Sequence, residues 1–227
     1  MVSDVTTSTQ APPALAITVE GVEPVDYAAV PTLQFRTRIR AATATAIRSV
    51  ALHAQIRIAA TERSYDAQSQ EGLVELFGAP EQWGRNLHSL LWTHAEVHVP
   101  EFDDEVIVDI PVGCTYDFDV VATKYFHALD DGDIPLDFLF SGTVFYSAAG
   151  RLQAVRIPWD TESHLRMPVR VWHGLMGRYF PHSAWLRLDR DTFDRLYGFK
   201  ARNTYPTWEG AIEALLRAAE QGVGERG

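Results

Sequence analysis

A chain of 227 residues that is 46% hydrophobic and 22% charged can bury one large core, or one core and a smaller lobe. Its 30 acidic and 20 basic residues leave a net charge of −10, which opposes a phosphate backbone and argues against nucleic acid as a partner. The lone Cys114 cannot close an internal disulfide, the N-terminus lacks an apolar signal segment, and no apolar run approaches the roughly 20 residues of a bilayer span. The chain therefore reads as a soluble, cytoplasmic protein.

Residues 1–13 are rich in Ser, Thr and Pro and have little to bury, so they are expected to form a disordered tail. Order is expected from Leu15, Ile17 and Val19. After Pro31, Leu33, Phe35, Thr37, Ile39 and Ala41 alternate with Gln34, Arg36, Arg38 and Arg40, the clearest period-two signal in the chain. Val50, Leu52, Ala54, Ile56 and Ile58 repeat the pattern, and the two runs read as paired neighbours in a meander. Residues 65–85 break it: Leu73, Val74, Leu76 and Phe77 end at Gly78, and Pro80 opens another turn around Trp83, which predicts a helical insert.

Alternation resumes at Leu91–Val99 and again from Glu105 to Val112. The stretch from Val112 to Tyr146 then reads as a central antiparallel hairpin, with one strand over Tyr116–Tyr125, an acidic turn at Asp130–Asp133, and a second strand through Phe138, Phe140 and Val144. Arg151–Ile157 is the last expected strand. About eight short, locally connected strands point to a mainly β protein, an antiparallel, immunoglobulin-like sandwich over residues 14–160. From Pro168 the period becomes helical, with segments starting at Val169, Asp189 and Thr207, so a helical C-terminal lobe packed on the sandwich is expected over 168–220.

The segments LHSLLWTHAEVHVPEF, CTYDFDVVATKYFHALDDGDIPLDFLFSGTVFY, IPWDTESHLRMPVRVWHGLMGRYFPHSAWLRL and DTFDRLYGFKAR together resemble a bacterial, mainly actinobacterial, family of unknown function. The likeness runs from about Leu15 to Leu216. Genes of that family often lie beside those of an uptake nickel–iron hydrogenase, which implies an accessory or assembly role. The family has no established catalytic motif, so the resemblance assigns no residue a role.

Several constellations carry candidate chemistry. His94, Glu96 and His98 share one face of a strand with His88 just before them, but successive members stand roughly 7 Å apart, too far to share one ion without a further ligand such as His53. An exposed polar face is the expected reading, and no metal or cofactor is assigned. Asp130, Asp131 and Asp133 around Gly132 form a turn rather than a calcium loop. Cys114 has no adjacent base to activate it and is expected to be structural. Arg36, Arg38 and Arg40 make a basic stripe that reads as a solvated strand face, with engagement of an acidic partner as the functional alternative.

There is no GxSxG, glycine-rich phosphate loop, HExxH or CxxC, so the chain reads as a non-enzymatic accessory or assembly protein acting through protein–protein interaction. The candidate partner-binding residues are Phe180 and Trp185, expected to stay exposed, with Arg178 and Arg187 beside them. The rival reading is a small-molecule-binding sandwich with an apolar pocket lined by Phe138, Phe140, Trp159 and Trp172.

Overall fold

The structure, a computed structural model, describes residues 12–42, 46–117, 120–148, 150–181, 183 and 186–224. Its eight strands are β1 (Leu15–Pro24), β2 (Thr32–Ala41), β3 (Ile47–Ile58), β4 (Leu90–Val99), β5 (Glu105–Gly113), β6 (Asp133–Ala148), β7 (Arg151–Arg156) and β8 (Glu162–Pro168). Three short helices, α1 (Ala67–Gly72), α2 (Val74–Phe77) and α3 (Trp83–Asn86), form the insert between β3 and β4. Four more follow: α4 (Val121–His127), α5 (Val169–Tyr179), α6 (Arg190–Arg202) and α7 (Trp208–Gly224). The mainly β, antiparallel two-sheet architecture inferred from the alternation is the observed one, with β1-β2-β5 in one sheet and β4-β3-β6-β7 in the other, where β8 also pairs with β6.

The parity of β2 comes directly from its sequence. Leu33, Phe35, Thr37 and Ile39 are buried, the Thr37 hydroxyl donates to the Phe35 carbonyl, and the arginines point outward. Phe35 then meets the other sheet edge-on, 5.1 Å from Phe138 and 5.9 Å from Trp92 between ring centroids. Burying aromatic rings in this way dominates core energetics, and edge-to-face contacts add about 0.5–1.5 kcal/mol per pair. Along one margin the sheets are stitched by a polar contact: β1 is an edge strand of its sheet, and the Val19 amide donates to Ser163 Oγ of β8 at 3.0 Å. A buried amide without that acceptor would cost about 1–3 kcal/mol.

Three expectations need correction. β2 and β3 do not form a meander; β2 lies between β1 and β5, and β3 between β4 and β6, in different sheets. The Val112–Tyr146 hairpin is also absent: β5 and β6 belong to different sheets, and α4 stands where the first strand of the hairpin was expected. Ala122, Tyr125, Phe126 and Leu129 recur at helical spacing and are all buried, so one helical face hides more apolar surface than either strand face of that run would. The last strand is not Arg151–Ile157, because β8 follows and pairs with β6 from Asp133 to Leu139.

Residues Met1–Trp185 and Leu186–Gly227 form two compact units. The first includes α5, whose Val169, Trp172, Leu175 and Met176 are buried in the sandwich core. The second holds α6 and α7. The tail expected at 1–13 lies outside the described residues except for Pro12 and Pro13.

Gly142 fixes where β6 changes partners. Up to Leu139 its second neighbour is β8, and from Thr143 it is β7. Between them Gly142 takes φ 142°, and a Cβ there would stand 2.0 Å from the Ala51 carbonyl oxygen of β3. Gly142→Ala is therefore expected to destabilise the protein by several kcal/mol, about 3 or more, in denaturant unfolding. A loss below about 1 kcal/mol would show that the crossover does not need glycine.

Candidate interaction surfaces

The turn between β1 and β2 and the end of α5 build one corner of the first unit. Arg178 Nη1 donates to Asp26 Oδ1 at 2.7 Å, and the Tyr179 hydroxyl donates to the Ala28 carbonyl at 2.6 Å. These bonds tie the turn to the helix around a surface hollow of about 480 Å³ lined by Val25, Asp26, Tyr27, Ala28, Arg178 and Tyr179. Tyr27 is fully exposed at its rim with φ 58°. The left-handed region costs an L-residue with a side chain about 1–2 kcal/mol and is usually left to Gly or Asn.

Among the described residues one other non-glycine has positive φ, Thr204, and its conformation has a local cause. Thr204 N–H donates to the Ala201 carbonyl and Tyr205 N–H to the Lys200 carbonyl, the paired bonds that close a helix in a left-handed residue. Tyr27 takes its positive φ in the turn that joins β1 to β2, closed by the Val25 N–H donating to the Thr32 carbonyl.

The sequence-derived partner residues fare differently. Arg178 belongs to this corner. Phe180 does not stay exposed as expected: it is half-buried, stacked on Tyr116 at 5.4 Å and 16° and packed against the core. The aromatic run at the end of α5 is absorbed because Tyr116 precedes α4 and offers it a flat partner. Trp185 lies outside the described residues, and Arg187 is exposed in the second unit. Sequence reasoning missed Tyr27, for which the available signal was an aromatic after Pro24 and Asp26 in the turn between two alternating runs.

Other candidate chemistry is dispersed. His53 Nδ1 lies 3.3 Å from Glu96 Oε1 on an exposed face, while His88 packs edge-on against Phe77. Among the described residues no group of three or more His, Cys, Asp or Glu converges as a metal site would require. Burial pushes the Cys114 thiol up to about 12, so it is protonated at neutral pH. Cys114 lines a cavity of about 150 Å³ with Trp92, Phe126 and Trp172. Phe138 and Phe140 are instead stacked in the core and Trp159 is 91% exposed, so the pocket expected from these aromatics does not form. Among the described residues no helix is long and apolar enough to cross a membrane.

The second unit presents a different surface. Phe193 and Tyr197 of α6 gather around Trp208 of α7, with ring centroids 5.5 and 6.2 Å from it, and the Lys200 ammonium lies 5.6 Å from the same ring. Leu186, Leu188, Phe193, Leu196, Trp208 and Ile212 line an apolar hollow of about 210 Å³.

A family model described as a family of unknown function, DUF6084, matches residues 12–224. The chain belongs to that family. Among curated proteins none matches this DUF6084 member. Two solved structures of β-glucosidase from Kluyveromyces marxianus, one selenomethionine-labelled and one in complex with glucose, align with 69% and 68% of the chain at 10% and 11% identity. The chain spans 15% of either enzyme, with TM-scores of 0.22 and 0.21, too low to indicate a shared fold.

The arginine stripe of β2 is charge-paired on both sides. Arg38 reaches Glu20 of β1 and Glu105 of β5, and Arg40 Nε also holds Glu105 at 2.8 Å. The hydrogen bond from Arg38 lowers the Glu20 pKa below the ordinary 4.5, and that from Arg40, with Arg38 adding, lowers Glu105. A carboxylate depressed on folding stabilises the fold above its unfolded pKa, and that contribution is lost as pH falls through the folded value. Replacing Arg36, Arg38 and Arg40 together by Gln should change stability little at neutral pH, because the pairs lie at the solvent-accessible surface and are screened. From about pH 5 to about pH 3 the wild type should lose more stability than the variant in thermal unfolding. Parallel acid curves would show that the pairs do not form.

Proposed function

We propose that the chain is a non-enzymatic accessory or assembly protein of the cytoplasm that works by binding another polypeptide. A component of a nickel–iron hydrogenase is the partner implied by the family resemblance. Tyr27 carries the reading. It is an exposed aromatic at positive φ, a conformation costly for a residue with a side chain, in a turn whose Asp26 and Ala28 are tied to α5 by an ion pair and a hydrogen bond. Tyrosine and arginine are among the side chains that most often anchor protein interfaces, and Arg178 lines the same hollow as Tyr27. The protonated thiol of Cys114 and the solvent-facing His53–Glu96 pair support a binding role over a catalytic one.

A second reading, a small-ligand module, is supported by the 150 Å³ cavity beside Trp172. That volume suits a single small ring rather than a ligand of roughly 300 Å³ or more.

The two readings separate when a photoreactive phenylalanine analogue replaces Tyr27 in the native host. Cross-linking to a polypeptide, identified as a hydrogenase component and reduced by Arg178→Ala, is expected. Equal yield from the analogue at the exposed control position Leu152 of β7, or no cross-linked polypeptide, would contradict the reading. Tyr27→Gly should also abolish partner binding while leaving stability unchanged or raising it by up to about 1 kcal/mol, because it removes the strain.

A further inference from the structure

The second unit does not complete a core of its own. Among its described residues Ala211 is the one fully buried hydrophobic, α6 buries none, and Leu186, Phe193, Tyr197, Ile212, Leu215 and Leu216 are exposed. Units near 40 residues are normally sustained by disulfides, a metal or association. Residues 186–227 contain no cysteine, and no metal cluster occurs among the described residues. Association is what remains.

The charges of the two helices indicate the kind of partner. α6 carries Arg190, Arg195, Lys200 and Arg202 against Asp191 and Asp194, a net of +2, while α7 carries Glu209, Glu213 and Glu220 against Arg217, a net of −2. Arg190 pairs within its own helix with Asp194, whereas Arg195, Arg202, Glu209, Glu213 and Glu220 form no ion pair among the described residues. Glu209, Glu213 and Glu220 are spaced by four and seven residues and so run as one row beside the apolar stripe; Arg195 and Arg202 are seven apart on α6. The unit as a whole holds seven basic and seven acidic residues and is neutral, so the chain's net charge of −10 resides in residues 1–185. A strongly acidic or basic partner would meet one helix well and be repelled by the other.

We propose that the α6–α7 hairpin associates with the same hairpin of a second copy of this chain, as an antiparallel four-helix bundle in which α6 of one copy faces α7 of the other. A twofold axis sets both opposed pairs of helices face to face at once, and it closes the assembly at two. Leu215 and Leu216 become part of the shared core, in the manner of other bundles of paired helical hairpins.

Sedimentation of the full chain from about 1 to about 100 μM tests this over the range where such contacts form. A concentration-dependent dimer is expected; a monomer throughout, or a ladder of larger oligomers, overturns the proposal. Leu215→Lys with Leu216→Lys should yield a monomer whose β circular dichroism is unchanged, and a persisting dimer overturns it. Because those positions also bear on helix packing, a charge exchange at solvent-facing sites provides an independent check. Glu213→Arg should weaken the dimer by roughly tenfold, and adding Arg195→Glu should restore it. Failure of the second change to restore association overturns the α6-to-α7 arrangement.

Discussion

A strand offers hydrogen bonds to one neighbour on each side, and β6 has three neighbours. It keeps β3 along one edge from Leu136 to Tyr146 and divides the other edge between β8 and β7. That division is possible because Gly142 lets the backbone pass over Ala51 where a side chain would collide with its carbonyl. Through β8 the constraint extends to the smaller sheet, since Ser163 accepts the Val19 amide from the edge strand β1. It also sets α5, because Val169 N–H donates to the Gly132 carbonyl at the start of β6, and the helix leaves β8 directly over the core. The corner that holds Tyr27 thus rests on a chain of backbone commitments beginning at one glycine.

The two units are unequal in self-sufficiency. Among the described residues every buried side-chain nitrogen and oxygen has a partner, and the first unit fills its interior with interlocking rings: Phe35, Trp92 and Phe138 between the sheets, and Phe126 with Trp172 beneath the helices. The second leaves most of its large apolar side chains in solvent. The exposed Tyr27 and the uncompleted hairpin are the features on which the proposed binding role rests.

Much of the fold was legible because burial enforces period. β2 and β3 alternate cleanly, Gly78 and Pro80 divide the helical insert where its second helix stops, and α5 to α7 begin where Pro168, Asp189 and Thr207 announce them. Tyr116–Tyr125 satisfied both periods at once, and the burial of Phe126 and Leu129 beyond the run decided for helix. β8 was invisible because its inward positions include Ser163 and its outward ones are Glu162, His164 and Arg166, leaving little apolar contrast. The assignment of β2 and β3 to separate sheets is nonlocal and leaves no mark in either strand. At the candidate site Arg178 was recognisable as an arginine among aromatics. Tyr27 was not, since backbone strain depends on a dihedral that a side chain's identity does not reveal.

Hydrogen exchange of the full chain as a function of its concentration tests most directly the claim that the sandwich is complete and the hairpin is not. Amides of β2, β3 and β6 should be equally protected at every concentration, while those of α6 and α7 should exchange fast when dilute and slow as concentration rises. Full protection of α6 and α7 at the lowest concentration would mean that the hairpin is already complete within one chain, and would contradict the account.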